Sequence, residues 1–229
     1  MDLERIEGYI ELKGQKPILL TALHGFGTDR YRLLVRKLKR LGFHDQLRNL
    51  YRSSSAVDLF SGEIVVKVGI AKDCWVMLPT LSKVDAPEGM NAPDANLNKE
   101  YAKDSYFWKR INQITDSGAV KVMIDLHGMR SIRKWPDVCI ACGGYTTASE
   151  KLIRSVTDAL KKYDLKVAVD IPFKGGYFIR RFGNSSEIEA FSIELKRDLR
   201  TLGSSIAMKL LQTVVDKVHE HISGRCLIT

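Results

Sequence analysis

The stretch VKVMIDLHGMR, residues 120–130, decides the fold because it joins an apolar strand pattern to a histidine-glycine turn. Its run at 120–126 is typical of a strand buried within a sheet. An earlier stretch, PILLTALHG at 17–25, has the same pattern. In an α/β sheet, ligands bind beyond the carboxyl ends of the strands. The sequence therefore predicts that His24 and His127 share one edge of the sheet.

Strand and helix patterns alternate through the rest of the chain. Further strands are predicted at 63–70, 74–80 and 137–142 and in the runs VAVDIPF (167–173), YFIRRFG (177–183) and EAFSIEL (189–195). Helices are predicted at 29–42, 99–115, 149–165 (with Ser149 as its cap) and 201–222. The order predicts one α/β domain spanning 1–229. Its sheet is mostly parallel or mixed, with helices on both faces. Residues 85–98 are rich in Pro, Asn, Asp and Gly, which predicts a long functional loop.

The composition is that of a globular protein. Of the 229 residues, 45% are hydrophobic and 28% are charged, which argues against a largely disordered chain. The N-terminus lacks the pattern of a signal peptide, and no apolar run has the length of a membrane helix. We therefore expect a cytoplasmic protein without a disulfide framework. Cys139 and Cys142 form a C-x-x-C motif, which we interpret as two buried thiols, with a redox or metal role as the alternative.

The formal net charge of +9 raises the question of an acidic partner. Much of the excess lies in DRYRLLVRKLKRLG, residues 29–42, where leucines recur at helical spacing between basic residues. We interpret this segment as a helix with a solvated basic face, which attracts acidic substrates over a distance. Nucleic acid is the less favoured partner because the chain has no RNA-binding aromatic signature and no zinc module.

The paired histidines predict a shared divalent-metal site. Neutral imidazole is a common metal ligand, and catalytic zinc usually takes three protein ligands and leaves one position open. Asp125 lies two residues before His127, so both side chains point to the same face of the strand, where the carboxylate is placed to orient the imidazole. The other histidines are not predicted to be ligands: His44, His219 and His221.

Five segments, taken in order, resemble the N-formylglutamate amidohydrolase family, whose relatives include zinc carboxypeptidases and aspartoacylase-type deacylases. They are PILLTALHG (17–25), SKVDAPE (82–88), IDLHGMR (124–130), IPFKGGYFIRRFG (171–183) and FSIELKRDL (191–199). The resemblance implies a hydrolase in which Zn²⁺, or another divalent metal, activates water to attack an amide carbonyl.

The resemblance also implies roles for particular residues. His24 and His127 are the implied metal ligands. The carboxypeptidase-like pattern has a glutamate three residues after the first histidine, but this chain has Gly27 there. The third ligand is then Asp58, which matches a downstream aspartate of the family, or the local alternative Asp29.

Glu194 matches the strand-borne glutamate of the family and is the implied catalytic acid and base. The alternative is an ordinary strand glutamate paired with a neighbouring Lys or Arg. Arg130 is a second candidate catalytic residue, and Arg130 and Arg133, just after His127, are both candidates for contacts to the substrate carboxylate or the oxyanion. Lys83 and Asp85 match an Arg/Asp segment of the family, with Lys83 in place of the arginine, and Asp85 is a candidate for substrate binding.

The segment PFKGGYFIRRFG supplies Lys174, Gly176, Arg180 and Arg181 as candidates for substrate binding. Arginine binds carboxylates through two parallel hydrogen bonds, and glycine lets backbone approach a ligand closely. On a strand, the two arginines would face opposite sides, so at most one would reach the pocket. The alternative is an ordinary hairpin with surface arginines.

The sequence therefore predicts a metal-dependent amidohydrolase that acts on an N-acyl amino acid or a similar small carboxylated amide. Two alternatives stay open. One is a metallo-peptidase that acts on peptides or cell-wall fragments. The other is a catalytically inactive protein that binds nucleic acid or another anionic surface. The acyl group and the oligomeric state are not specified by the sequence.

Overall fold

The fold is described from a computed structural model over residues 4–6, 8–25, 28–46, 58–80, 105–183, 187–200 and 205–225. The predicted loop at 85–98, together with Lys83 and Asp85, lies outside these ranges, as do Gly27 and Cys226. Asp29 lies in a described helix, but its side chain is outside the description.

One mixed sheet of eight strands forms the centre of the described structure. Its strands, in chain order, are β1 (Glu4–Ile6), β2 (Tyr9–Leu12), β3 (Lys16–Thr21), β4 (Cys74–Pro79), β5 (Val122–Met129), β6 (Val138–Ala141), β7 (Val167–Val169) and β8 (Glu189–Lys196). The spatial order is β1-β2-β4-β3-β5-β8-β6-β7. The four central strands β4, β3, β5 and β8 are parallel, whereas β2 and β6 pair antiparallel to them.

Helices cover both faces of the sheet. They are α1 (Thr28–Arg40), α2 (Ser61–Lys72), α3 (Tyr106–Asp116), α4 (Glu150–Lys161), α5 (Tyr177–Gly183) and α6 (Ser205–Arg225), with a 3₁₀ helix at Arg197–Arg200. Helices α2, α4 and α6 pack into one apolar core, and α3 and α5 pack into a second core on the other face. The predicted fold class is confirmed, and the predicted cap is present: the Ser149 hydroxyl accepts a hydrogen bond from the backbone N–H of Leu152.

The predicted strand at 63–70 is wrong, because this segment lies within helix α2. Its β-branched residues have the propensity of a strand, but Ile64, Val65 and Val68 are buried at helical spacing against the sheet. Gly69 allows this packing, since a Cβ there would lie 2.1 Å from Val76 Cγ2. Tertiary packing therefore overrides local propensity in this segment.

The predicted strand YFIRRFG is also wrong and forms the short helix α5. Phe178, Ile179 and Phe182 are buried in the second core, and the Phe182 ring stacks on Trp108 at 5.3 Å between centroids. The helix leaves both Arg180 and Arg181 exposed, so they do not face opposite sides of a sheet as predicted. The aromatic residues were mistaken for strand formers because their partner Trp108 is distant in sequence.

The strand predicted for VAVDIPF is too long, and the two thiols of the C-x-x-C motif are buried as predicted. The run VAVDIPF forms a strand only over Val167–Val169. Cys139 and Cys142 are fully buried, and burial raises the pKa of each thiol to about 11, as expected for structural thiols.

Within the described residues, no helix has both the length and the apolar character needed to cross a membrane. That residues 1–229 form a single domain stays a prediction.

Candidate metal centre and active site

His24 follows the end of strand β3, and Asp58 precedes the start of helix α2. The two residues lie close together although α1 separates them in the chain. The backbone N–H of Asp58 donates a hydrogen bond to the carbonyl of His24 at 2.9 Å, and the Asp58 Oδ2 atom lies 3.6 Å from His24 Nδ1. A Cβ on Gly25 would lie 2.5 Å from the backbone nitrogen of Gly62. The glycine after His24 therefore lets the two backbones approach closely enough to bring these side chains together.

His127, on strand β5, completes the cluster. Its Nδ1 atom lies 3.1 Å from Asp58 Oδ2, and its ring centroid is 5.0 Å from that of His24. One ligand atom from each of the three side chains lies within 4.8 Å of the others. Among the described residues, this is the one group of three or more His, Cys, Asp or Glu side chains that is close enough to hold a metal ion.

Asp125 holds the opposite side of the His127 ring. Its Oδ2 atom lies 2.6 Å from His127 Nε2, while its Oδ1 atom accepts hydrogen bonds from the Thr21 hydroxyl at 2.9 Å and the Leu23 backbone N–H at 3.3 Å. An imidazole that donates Nε2–H to this carboxylate keeps the lone pair of Nδ1 directed towards Asp58. Asp125 therefore has the orienting position that the sequence predicted.

Buried opposite charges shift the pKa values of these groups. Burial acts to raise the pKa of Asp58, but hydrogen bonds from His127 and His24 outweigh it and hold this pKa well below its usual range. Burial acts to lower the pKa of His127, but Asp125 and Glu194 raise it well above its usual value. Asp58 therefore stays ionised, so that its carboxylate oxygens can bind a cation.

Glu194 lies beside the cluster on strand β8, where its α-carbon pairs in register with that of His127. Its side chain is partly buried, and burial raises its pKa to about 7. A carboxylate with this pKa exchanges protons readily near neutral pH. The structure thus places the predicted acid and base next to the predicted metal ligands.

The donor set fits a divalent metal ion. Two imidazole nitrogens and one carboxylate oxygen are the ligands typical of a catalytic zinc site that keeps a position open. The two histidines present the same atom, Nδ1, to Asp58, and the tautomer of His127 is held by Asp125. This arrangement matches the way in which proteins orient metal-binding histidines through an outer carboxylate.

The predicted substrate-binding residues lie on the surface. Arg130 and Arg133 are exposed after strand β5, and Lys174 and Gly176 are exposed before α5. Arg180 donates a hydrogen bond to the carbonyl of Gly175 at 3.2 Å, and the Arg181 guanidinium carbon lies 6.0 Å from the centroid of the Phe182 ring. Their roles in binding stay predictions, and Asp85 lies outside the described residues.

Sequence reasoning did not identify Arg200, which ends the 3₁₀ helix after strand β8 and is 4% exposed. It was one of 36 basic residues in the chain. The one feature of the sequence that pointed to Arg200 is its position, six residues after Glu194 and immediately after the segment FSIELKRDL, which resembles the family. Its burial became visible only in the tertiary structure.

Comparisons with known proteins identify one family model and several similar folds. The family model for N-formylglutamate amidohydrolase matches residues 107–200, a range that includes His127 and Glu194. The crystal structure of N-formylglutamate amidohydrolase from Ralstonia eutropha JMP134 is 14% identical, with a TM-score of 0.64, and the match covers 95% of this chain and 99% of that chain. No curated protein matches the sequence.

Two other solved structures share the fold. A bacteriophage poly-gamma-glutamate hydrolase is 8% identical, with a TM-score of 0.52 over 99% of this chain and 94% of that chain. Bovine thrombin-activatable fibrinolysis inhibitor is 12% identical, with a TM-score of 0.51 over 97% and 91%. The fold is thus shared with these proteins, and the resemblance to the N-formylglutamate amidohydrolase family is confirmed over residues 107–200.

Proposed function

We propose that this protein is a metal-dependent amidohydrolase that cleaves the amide bond of an N-acyl amino acid or a similar small carboxylated amide. The observation that carries the proposal is the convergence of His24, Asp58 and His127 beside Glu194 at the carboxyl edge of the sheet. The family match over residues 107–200 supports the amide as the bond that is cleaved.

His24, Asp58 and His127 would hold the ion, with zinc the first expectation from the donor set. A divalent ion at such a site supplies Lewis-acid chemistry, which lowers the pKa of a water molecule and polarises the substrate carbonyl. Asp125 keeps His127 in the tautomer and orientation that binding requires.

Glu194 would transfer the protons. Its carboxylate would take a proton from the attacking water, and the carboxylic acid would return that proton to the leaving amine. Burial, which raises the pKa of Glu194, favours the protonated form that this second step needs. Arg130, Lys174, Arg180 and the backbone at Gly176 are the proposed contacts for the carboxylate of the substrate, with Arg181 and Asp85 as further candidates.

Elemental analysis of the purified protein tests the metal site. We expect about one zinc or similar ion per chain, and its loss in the double variant His24→Ala/His127→Ala. The matched control is His44→Ala/His219→Ala, which removes two exposed histidines and should retain the ion. No metal in the unmodified chain after incubation with zinc, or full retention in the His24→Ala/His127→Ala variant, would refute the proposal.

The substrate class needs a separate measurement. The zinc-loaded chain should release free amino acid from N-formylglutamate or from another N-acyl amino acid. The comparison substrate is a short peptide with both ends blocked. Cleavage of the peptide alone would replace the proposed substrate with the peptide or cell-wall alternative, whereas cleavage of neither by a zinc-loaded chain would contradict a hydrolase.

A further inference from the structure

Arg200 is the buried cation of the site region, and its contacts bear on how the proposed centre is built. Its side chain ends the 3₁₀ helix Arg197–Arg200 and is 4% exposed. The Nη1 atom donates a hydrogen bond to the carbonyl of Leu59 at 2.5 Å, and the Nε atom donates to the carbonyl of Leu195 at 3.1 Å. One guanidinium group therefore links the entrance of α2 to strand β8.

The same guanidinium packs on strand β5 at Gly128. A Cβ at this position would lie 2.2 Å from Arg200 Cζ and 2.2 Å from its Nη2, so a side chain larger than hydrogen cannot coexist with Arg200 in this position. The glycine that follows His127 therefore makes room for the Arg200 guanidinium. This contact accounts for the second of the two His-Gly pairs in the sequence.

The three segments that Arg200 contacts are those that carry the site. Leu59, Gly128 and Leu195 each come one residue after a site residue, and the three site residues are Asp58, His127 and Glu194. Each contact is therefore made one residue beyond a site residue, and contacts that fix these three backbones constrain where the Cα–Cβ bonds of Asp58, His127 and Glu194 are placed. Hydrogen bonds from a buried charged donor are among the stronger ones in proteins.

Charge supports the same arrangement. Burial lowers the pKa of Arg200, whereas Asp58 and Glu194 act to raise it, and a guanidinium stays protonated in proteins. In their ionised forms, the carboxylates of Asp58, Asp125 and Glu194 carry three negative charges. One guanidinium and one divalent ion balance them when both imidazoles are neutral. Buried charge is tolerated when it is compensated in this way.

We propose that Arg200 is a positioning residue that holds Asp58, His127 and Glu194 in the geometry needed to bind the metal. This inference rests on the proposed function and deepens it. Arg200 contacts backbone carbonyls, so its loss should weaken zinc binding and lower kcat while it leaves KM nearly unchanged.

The test measures zinc affinity by competition with a chromophoric chelator. We expect Arg200→Met to weaken zinc binding at least tenfold, with Arg200→Lys intermediate because lysine keeps the charge but cannot span both carbonyls. Gly128→Ala should weaken binding to a similar extent, because the added methyl displaces the guanidinium. In the Arg200→Met background, Gly128→Ala should have little further effect, since the clash is then gone.

Arg110→Met is the matched control for stability. Arg110 forms an ion pair with buried Glu11, at 2.8 Å, and its loss should lower the unfolding temperature without changing zinc affinity. Zinc affinity within twofold of the unmodified chain in Arg200→Met would overturn the inference. Equal losses of zinc affinity in Arg110→Met and Arg200→Met, at similar unfolding temperatures, would also overturn it.

Two further outcomes are separated by the same experiment. If Arg200→Met does not fold, zinc affinity is measured in Arg200→Lys and Gly128→Ala instead. Normal zinc affinity in both of these variants contradicts the positioning role of Arg200. Failure of the unmodified chain to bind zinc would refute the proposed function itself and the inference with it. Normal zinc binding in all Arg200 and Gly128 variants would refute only the positioning role.

Discussion

Asp125→Asn tests whether the orienting carboxylate controls metal binding through the tautomer of His127. Three donors converge on Asp125: His127 Nε2–H on one oxygen at 2.6 Å, and the Thr21 hydroxyl and the Leu23 N–H on the other. Asparagine keeps one acceptor oxygen and replaces the other with an NH₂ donor. The substitution preserves the volume of the side chain, so it changes hydrogen bonding with little effect on packing.

The amide has two orientations, and one of them keeps more hydrogen bonds. With its oxygen towards Thr21 and Leu23, asparagine keeps both of those bonds and directs its NH₂ group at His127 Nε2. That nitrogen must then be an acceptor, so the proton moves to Nδ1, the atom that faces Asp58. A protonated Nδ1 cannot bind a metal ion. Loss of an outer carboxylate of this kind typically weakens metal binding 10–100-fold, which corresponds to about 1.4–2.7 kcal/mol.

The assay is zinc competition with a chromophoric chelator at neutral pH. Asp216→Asn is the control, because it removes a surface carboxylate whose partner is Lys72, at 2.8 Å. We expect the control to bind zinc as the unmodified chain does. Binding by Asp125→Asn within about threefold of the unmodified chain, with the fold intact by circular dichroism, would refute the tautomer argument.

Three further predictions concern stability and catalysis. Gly25→Ala should lower the free energy of unfolding by about 1–3 kcal/mol, because its Cβ would clash with the start of α2. Gly224→Ala is the control, since nothing lies within 4 Å of the added Cβ, and it should not lower the free energy of unfolding. Thermal unfolding of the two variants tests this. Burial acts to raise the pKa of Glu189, but hydrogen bonds from Ser149 and His221 lower it overall, so its contribution to stability is present above a pH of about 4.3 and is lost as pH falls through the lowered pKa. Glu189→Gln should therefore lose about 1.5–3 kcal/mol near neutral pH and approach the unmodified chain in acid, and a constant difference in urea titrations across pH would contradict this. Glu194→Gln should lower kcat by about 10²–10⁴ with zinc affinity retained, and unchanged turnover would exclude Glu194 as the proton carrier.

Local sequence patterns were sufficient to predict those strands and helix starts whose characteristic residues all lie within one segment. The apolar runs before His24 and His127 predicted strands β3 and β5, and Ser149 predicted the start of α4. Two runs rich in β-branched or aromatic residues, at 63–70 and 177–183, were mistaken for strands. A strand buried on both faces and a helix buried against a sheet have the same local composition, so only their partners distinguish them.

Some features of the candidate site could likewise be predicted from local sequence patterns, whereas others depend on contacts between distant segments. The sequence by itself determined that His24 and His127 lie at one edge of the sheet, and that Asp125 lies on the same side of its strand as His127, because strand direction and the alternation of side chains are local properties. Only the tertiary structure showed that β3 and β5 are neighbours, and that β5 continues through His127 and Gly128 to Met129 where a turn was predicted. Only the tertiary structure placed Asp58 against His127, 69 residues away, and Arg200 against Leu59, 141 residues away. Contacts over such separations depend on how α2 and the segment after β8 pack against the sheet. That packing results from the free energy of the whole core, which no single segment of the sequence contains.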